Sequence, residues 1–255
     1  MNIFYIKHSG FLIETADCYY LFDYYTGDLP SLDCNKPILV FASHRHPDHY
    51  NPIIFSLLKA QNMQHITAVL SKDIPKKNYP ADIPTLIVTF HQVYTLPYTD
   101  ASLYTLHSTD QGVAFLIKCP EGIFYHAGDL NDWVWEEETE QYNKQMSGSY
   151  RHEIKLLKEY LHSCAMAVAE ELSKNATGDV SEELSVDIAM LPLDPRQEQD
   201  YYRGMLYFLQ QIATKKVFPM HYWERPDIIQ RFVQEYPDYA KLIENTEAFC
   251  QSDAV

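Results

Sequence analysis

Glycine is scarce in this chain, with eight residues in 255. That leaves little material for the glycine-rich loops that cradle phosphates, and no Walker-type loop, GxGxxG after a strand, GxSxG elbow or HExxH occurs. Basic residues are also few, 20 Lys and Arg against 35 Asp and Glu, for a formal net charge of −15. A field of that sign repels phosphate backbones and anionic membranes. The nearest approaches to a basic patch, Lys76-Lys77 and Lys215-Lys216, are ordinary solvated pairs. The balance leans away from nucleic acid and membrane and toward a small-molecule partner. The five cysteines (Cys18, Cys34, Cys119, Cys164 and Cys250) are scattered and never form CxxC. This argues against a disulfide framework or a thiolate zinc site and fits the reducing cytoplasm. No apolar run is long enough to span a bilayer. The opening MNIFYIKHSG lacks the basic start and long apolar stretch of a signal peptide.

Apolar material is plentiful, 46% hydrophobic and 14% aromatic with twenty tyrosines, ample for a large core. The length suits one α/β domain over residues 1–255. Short aromatic and β-branched runs predict strands at Ile3–Ile6, Phe11–Glu14 and Tyr19–Phe22. Pro37–Ala42 is a continuous apolar run, the pattern of a strand covered on both faces. Asn51-Pro52 then predicts the start of a helix over Ile53–Ala60. Val69 and Ile87–Phe90 mark further strands, and Ser102–Leu106, Val113–Lys118 and Gly122–Tyr125 read as a meander. Apolar residues at Ile154, Leu157, Leu161, Ala165, Val168 and Leu172 have helical spacing, within a helical insertion of about 132–178. The last third alternates strand (Asp187–Leu191), helix (about Tyr201–Ala213), strand (Lys216–Pro219) and a closing helix from Pro226.

The densest chemistry follows the buried strand: His44-Arg45-His46-Pro47-Asp48-His49. Imidazole nitrogens and carboxylate oxygens are the ligands that borderline cations accept. His44 and His46 stand two apart, so on extended backbone they point the same way. After the turn at Pro47, Asp48 and His49 can address a neighbouring position. One loop thus offers ligands for two adjacent ions.

HxHxDH after an apolar strand resembles the signature of the metallo-β-lactamase superfamily. Tyr20–Asp23 (YLFD), Phe124–Asp129 (FYHAGD) and Val217–His221 (VFPMH) resemble later landmarks of that family in the expected order. Ile3–Gly10, with His8, is similar to the opening of its lactonase-like branch, related to ascorbate-6-phosphate lactonases. The resemblance implies a four-layer αβ/βα sandwich, two packed mixed β-sheets with helices on both outer faces. It also implies a metal site of His44, His46, Asp48, His49, Asp129 and His221, with Asp129 bridging. One or two divalent ions are expected, Zn²⁺ first and Mn²⁺ or iron as alternatives. The expected reaction is metal-assisted hydrolysis of a lactone or ester of a small, anionic molecule, with Asp48 catalytic. The alternatives are a phosphodiesterase or nuclease of the same superfamily, and a non-catalytic metal-binding or sensor protein with a degenerate site.

One departure stands out. Where the family places a third histidine for the first ion, aligning the following strand puts Ser108, with His107 one residue off and so on the other face. Either a bulge brings His107 in, or Asp110 substitutes, or the first site is weak. Asp23 is expected to orient a ligating histidine, and His126 to be structural. Arg196, in Leu193–Arg196, could hold an anionic group, with His8 as a second substrate contact or a buried structural histidine. Trp133, Trp135 and Trp223 flank the site and could wall it.

Overall fold

Two six-stranded sheets carry the computed structural model, which describes residues 1–173 and 184–244. The first sheet takes its strands in chain order: β1 (Asn2–Lys7), β2 (Gly10–Glu14), β3 (Tyr19–Phe22), β4 (Ile38–Ala42), β5 (Ile66–Ser71) and β6 (Thr85–Val88). The second runs β12-β11-β10-β9-β8-β7, from β7 (Val93–Thr95), β8 (Ser102–His107), β9 (Val113–Cys119) and β10 (Gly122–His126) to β11 (Val186–Pro192) and β12 (Thr214–Met220). Each sheet is mixed, antiparallel over its early pairs and parallel over its later ones. The helices are α1 (Ile53–Ala60), α2 (Glu140–Ser173), α3 (Arg203–Gln211) and α4 (Asp227–Glu235).

The continuous apolar runs are explained by burial on both faces. In β2, β3 and β4, Phe11, Ile13, Tyr20, Phe22, Leu39 and Phe41 enter the core between the sheets. Their neighbours Leu12, Tyr19, Leu21, Ile38 and Val40 turn outward onto Ile54, Phe55 and Leu58 of α1. Phe22 stacks on Phe41 within the first sheet at 4.9 Å, and Phe41 meets Phe115 of the second sheet edge-on at 5.3 Å. On the far face, Tyr150, Ile154, Leu157 and Leu161 form the buried stripe of α2, beside Met205 and Phe208 of α3. Ala165 is half-buried. The side chains of Val168 and Leu172, and the stretch 174–178 of the expected insertion, lie outside the described residues.

Topology gathers the chemistry at one rim. β3 and β4 run parallel with Phe22 opposite Phe41, so Asp23 and Ser43 emerge side by side. β10, β11 and β12 are likewise parallel, which brings the residues after His126, Pro192 and Met220 to a common edge. The Val113 N–H donates to Ser43 O (3.0 Å) and joins the two sheets at that point.

Candidate metal centre

Ser43, directly before the histidine loop, is the hub. Its N–H and its hydroxyl donate to Asp23 Oδ1 and Oδ2 at 2.7 and 2.6 Å. With that proton committed, Ser43 Oγ is left to accept from His44 Nδ1 at 3.0 Å. His49 Nδ1 donates to Asp23 Oδ2 at 2.7 Å and His221 Nδ1 to Asp194 Oδ2 at 2.9 Å. Each of these contacts places the imidazole proton on Nδ1 and leaves the Nε2 lone pair facing inward. Two of the scarce glycines make room for the hub. A Cβ at Gly112 (φ +73°) would lie 1.9 Å from Ser43 O, and one at Gly128 (φ +51°) 2.7 Å from Ser43 Cβ. His8, Asp23 and His221 also hold positive φ (58°, 41° and 62°). Strain of this kind persists where the surroundings over-determine it. For His8, those surroundings include the His221 N–H donating to His8 O and the His126 Nε2–H donating to Ser9 O (2.8 Å).

The inward atoms fall into two groups, His8, Asp48, His49 and His221 in one and His44, His46, Asp110 and Asp129 in the other, each within 4.8 Å. In the first, Asp48 Oδ2 stands 3.3, 3.8 and 3.9 Å from Nε2 of His8, His49 and His221. Asp129 faces both groups with different oxygens. Its Oδ1 lies 3.1 Å from His49 Nε2 and 3.5 Å from His221 Nε2, and its Oδ2 lies 3.4 Å from His44 Nε2. His46 Nδ1 and Asp110 Oδ2 are 3.6 Å apart. Ligand atoms about 2.0–2.2 Å from a tetrahedral ion stand about 3.3–3.6 Å from one another, so the spacings suit shared cations. Nε2 of His8, His44 and His49 and Oδ1 of Asp129 are buried with no aligned hydrogen-bond partner. Orphaned polar atoms pointing at one another are costly unless something sits between them.

Electrostatics carry the same message. Burial, then the neighbouring His49, push the His44 imidazole down to about 4, so it is neutral and ready to ligate. Burial works to raise Asp129, yet His49, His221 and His44 hold it well below the usual carboxylate range. His49 is the reverse: burial disfavours its charge, but Asp129 and Asp23 raise it well above the ordinary value. Burial and then nearby Asp129 raise Asp110. Burial also opposes ionisation of Asp194, but His221 and Arg196 bring it down to about 2.

A cavity of about 300 Å³ opens onto the centre, with His46, Asp48, Asp110, Asp129 and His221 reaching into it. Trp133 and Trp135 stack at 5.6 Å as one wall, and Trp223 forms part of another. Arg196, among the described residues the sole Lys or Arg on the lining, is held over Trp223 at 4.6 Å and clamped by both oxygens of Asp194. Tyr142 and Met146 from the first turns of α2 close the side. The same helix therefore packs the core through its middle and lines the cavity through its start.

The structure brings His44, His46, Asp48, His49, Asp129 and His221 together, and Arg196 onto the cavity wall. His8 is off this lining but lines a neighbouring cavity that also reaches Trp223, with its Nε2 in the Asp48 group. Of the three residues open for the missing third histidine, Asp110 is the one that enters a ligand group. His107 is exposed and packs on Phe90 at 4.3 Å, while Ser108 Oγ accepts from the Asp110 N–H. Sequence reasoning missed Ser43 and the second task of Asp194. The signal for Ser43 was a polar residue between a both-faces-buried strand and the motif.

A model of the β-lactamase superfamily domain matches residues 2–144. No curated protein matches the chain in sequence. Among solved structures, the metallo hydrolase Igni18 of the hyperthermophilic archaeon Ignicoccus hospitalis is 14% identical with a TM-score of 0.61, over 95% of this chain and 93% of its own. An isothiocyanate hydrolase from Delia radicum gut bacteria is 11% identical with a TM-score of 0.52, over 96% of each chain. The diiron β-hydroxylase CmlA of Streptomyces venezuelae, 12% identical with a TM-score of 0.52, is matched over 95% of this chain and 52% of its own. At these identities the likeness is one of fold.

Proposed function

We propose that this chain, which belongs to the β-lactamase superfamily, is a metal-dependent hydrolase that opens a lactone or ester of a small anionic molecule. The observation that carries the reading is Asp129, whose two oxygens each face a separate group of inward histidine nitrogens at the floor of the cavity. His44, His46, Asp110 and Asp129 would hold one divalent ion, and Asp48, His49, His221 and Asp129 the other. Zn²⁺ is the first choice, with Mn²⁺ or iron as alternatives, because imidazole and carboxylate suit all three. Cations held there would supply Lewis acidity, polarising a carbonyl and acidifying water.

The protein's own residues do the rest. Asp48, partly exposed at the cavity floor, orients the attacking water and takes its proton. Arg196 offers N–H donors beyond those that Asp194 engages, and so can hold a carboxylate or phosphate on the substrate. The three tryptophans exclude bulk water around the reacting carbonyl. An acidic protein with one cation on the cavity wall suits a small anion better than a phosphate polymer. Among the described residues no helix is long and apolar enough to cross a membrane, and the four cysteines are unpaired.

The test is a hydrolysis screen of lactones, carboxylic esters and phosphodiesters on protein of measured metal content, beside Asp48→Ala. Turnover of a lactone or ester that Asp48→Ala loses while keeping its circular dichroism supports the reading. Turnover of phosphodiesters alone, or no turnover on any arm, overturns it.

A further inference from the structure

We infer that His8 is itself a metal ligand, completing a three-histidine pocket that takes the first ion, while the His44–His46–Asp110 group takes the second more weakly. This rests on the metal-centre reading above but not on the hydrolysis reading.

Three observations carry it. His8 Nε2 is buried, lacks an aligned hydrogen-bond partner and stands 3.3 Å from Asp48 Oδ2, inside the ligand group. The residue is also held there at a cost. His8 has φ +58°, a conformation uncommon for a side-chain-bearing residue. Two contacts pin the turn, the His221 N–H on His8 O and the His126 imidazole on Ser9 O. Both partners are histidines of the same rim, so the turn and the centre are set together. A side chain that only filled space would not need its nitrogen aimed at a carboxylate and two imidazoles.

The loading order follows from counting ligands and their exposure. With His8, one side offers three imidazoles and an oxygen from each of Asp48 and Asp129. His8, His49, His221 and Asp129 are all buried. The other side offers His44, His46, Asp110 and the second oxygen of Asp129, and of these His46 and Asp110 are 36% and 42% exposed at the side chain. A richer, pre-organised set of ligands loses less order on binding than two exposed side chains. Imidazole is also the preferred ligand of zinc.

The experiment is a Zn²⁺ titration of protein stripped with chelator, followed by calorimetry and by ¹⁵N-edited NMR of the imidazole nitrogens. In the wild type, the Nε2 resonances of His8, His49 and His221 should move with the first equivalent, and those of His44 Nε2 and His46 Nδ1 with the second. His8→Gln should weaken the first event about 100-fold or more, while Asp110→Asn should weaken only the second. If His8 stays unmoved while His49 and His221 shift, or if both variants weaken the same event, the inference is wrong. The NMR arm needs no variant, so a His8→Gln protein that misfolds does not protect the claim. A wild type that takes up no Zn²⁺ overturns this inference and the proposed function alike. Ordered uptake without hydrolysis sinks only the proposed function.

Discussion

Asp23→Asn separates ligand orientation from ligand identity, because Asp23 touches no cation position. Its carboxylate accepts three hydrogen bonds, from Ser43 N, Ser43 Oγ and His49 Nδ1, at 2.7, 2.6 and 2.7 Å. An asparagine oxygen can keep the Ser43 N–H, which leaves its NH₂ where Oδ2 was, facing two donors. The network can be satisfied again only by turning around. Ser43 Oγ would accept from the amide and donate to His44 Nδ1, and His49 Nδ1 would accept as well. Both imidazoles would then carry their protons on Nε2, pointing into the metal centre. Binding an ion requires reversing that, which breaks one hydrogen bond for each histidine and leaves a buried donor unmet, about 1–3 kcal/mol apiece. Together that is about 2–6 kcal/mol, or roughly 30-fold and upward in affinity. Without metal the rearranged network stays bonded, so the stability cost should be only about 1–3 kcal/mol, from one poorly met donor. Zinc affinity would be measured by competition with a chromophoric chelator, and stability by guanidinium unfolding in excess chelator. Zinc affinity within threefold of wild type would refute the orientation argument.

Other perturbations probe other parts of the design. Gly112→Ala puts a Cβ at 1.9 Å from Ser43 O on backbone of φ +73°. The turn carrying Asp110 must therefore shift, costing about 2–4 kcal/mol and lowering metal content from two equivalents to one by elemental analysis. Leu157→Ala, in the fully buried stripe of α2, should cost about 2–5 kcal/mol in chemical unfolding with metal content unchanged; a changed metal content would show that the helix holds the centre together. Arg196→Ala should raise KM for an anionic ester about 10–100-fold while leaving a neutral ester within about threefold, and an equal effect on both would remove Arg196 from substrate binding. Zinc at about 100 times its Kd should raise unfolding free energy by about 2.7 kcal/mol per independent site, seen as a midpoint that falls in chelator and returns on adding Zn²⁺.

How far the site was legible depends on how local each signal is. The pair sheet-end plus hexapeptide is contiguous, so His44, His46, Asp48 and His49 could be read as a unit from Pro37 to His49. Asp129 and His221 were legible because strands buried on both faces leave long apolar runs, and the residue after each run marks a sheet edge. β7 was overlooked because three residues at a sheet edge, none of them buried, leave no periodicity to read. β5 was marked only by Val69, although all six of its residues are buried.

The choice among His107, Ser108 and Asp110 was of another kind. His107 pairs with Val113 across the hairpin and so keeps strand geometry to its last residue, pointing outward. Asp110 turns inward because the chain closes at Gly112 against Ser43, a contact between distant segments that no local pattern contains. Asp194 shows the same limit. Its hold on Arg196 spans only two residues and is local. Its hold on His221 exists only because β11 and β12 lie parallel and end together. The ligands that a loop supplies could be read along the chain, whereas the residues that aim them belong to neighbours in space. Asp23 alone of that second layer could be read from its place after a strand, and in a chain with eight glycines the two that press against Ser43 mark where the rest of it closes.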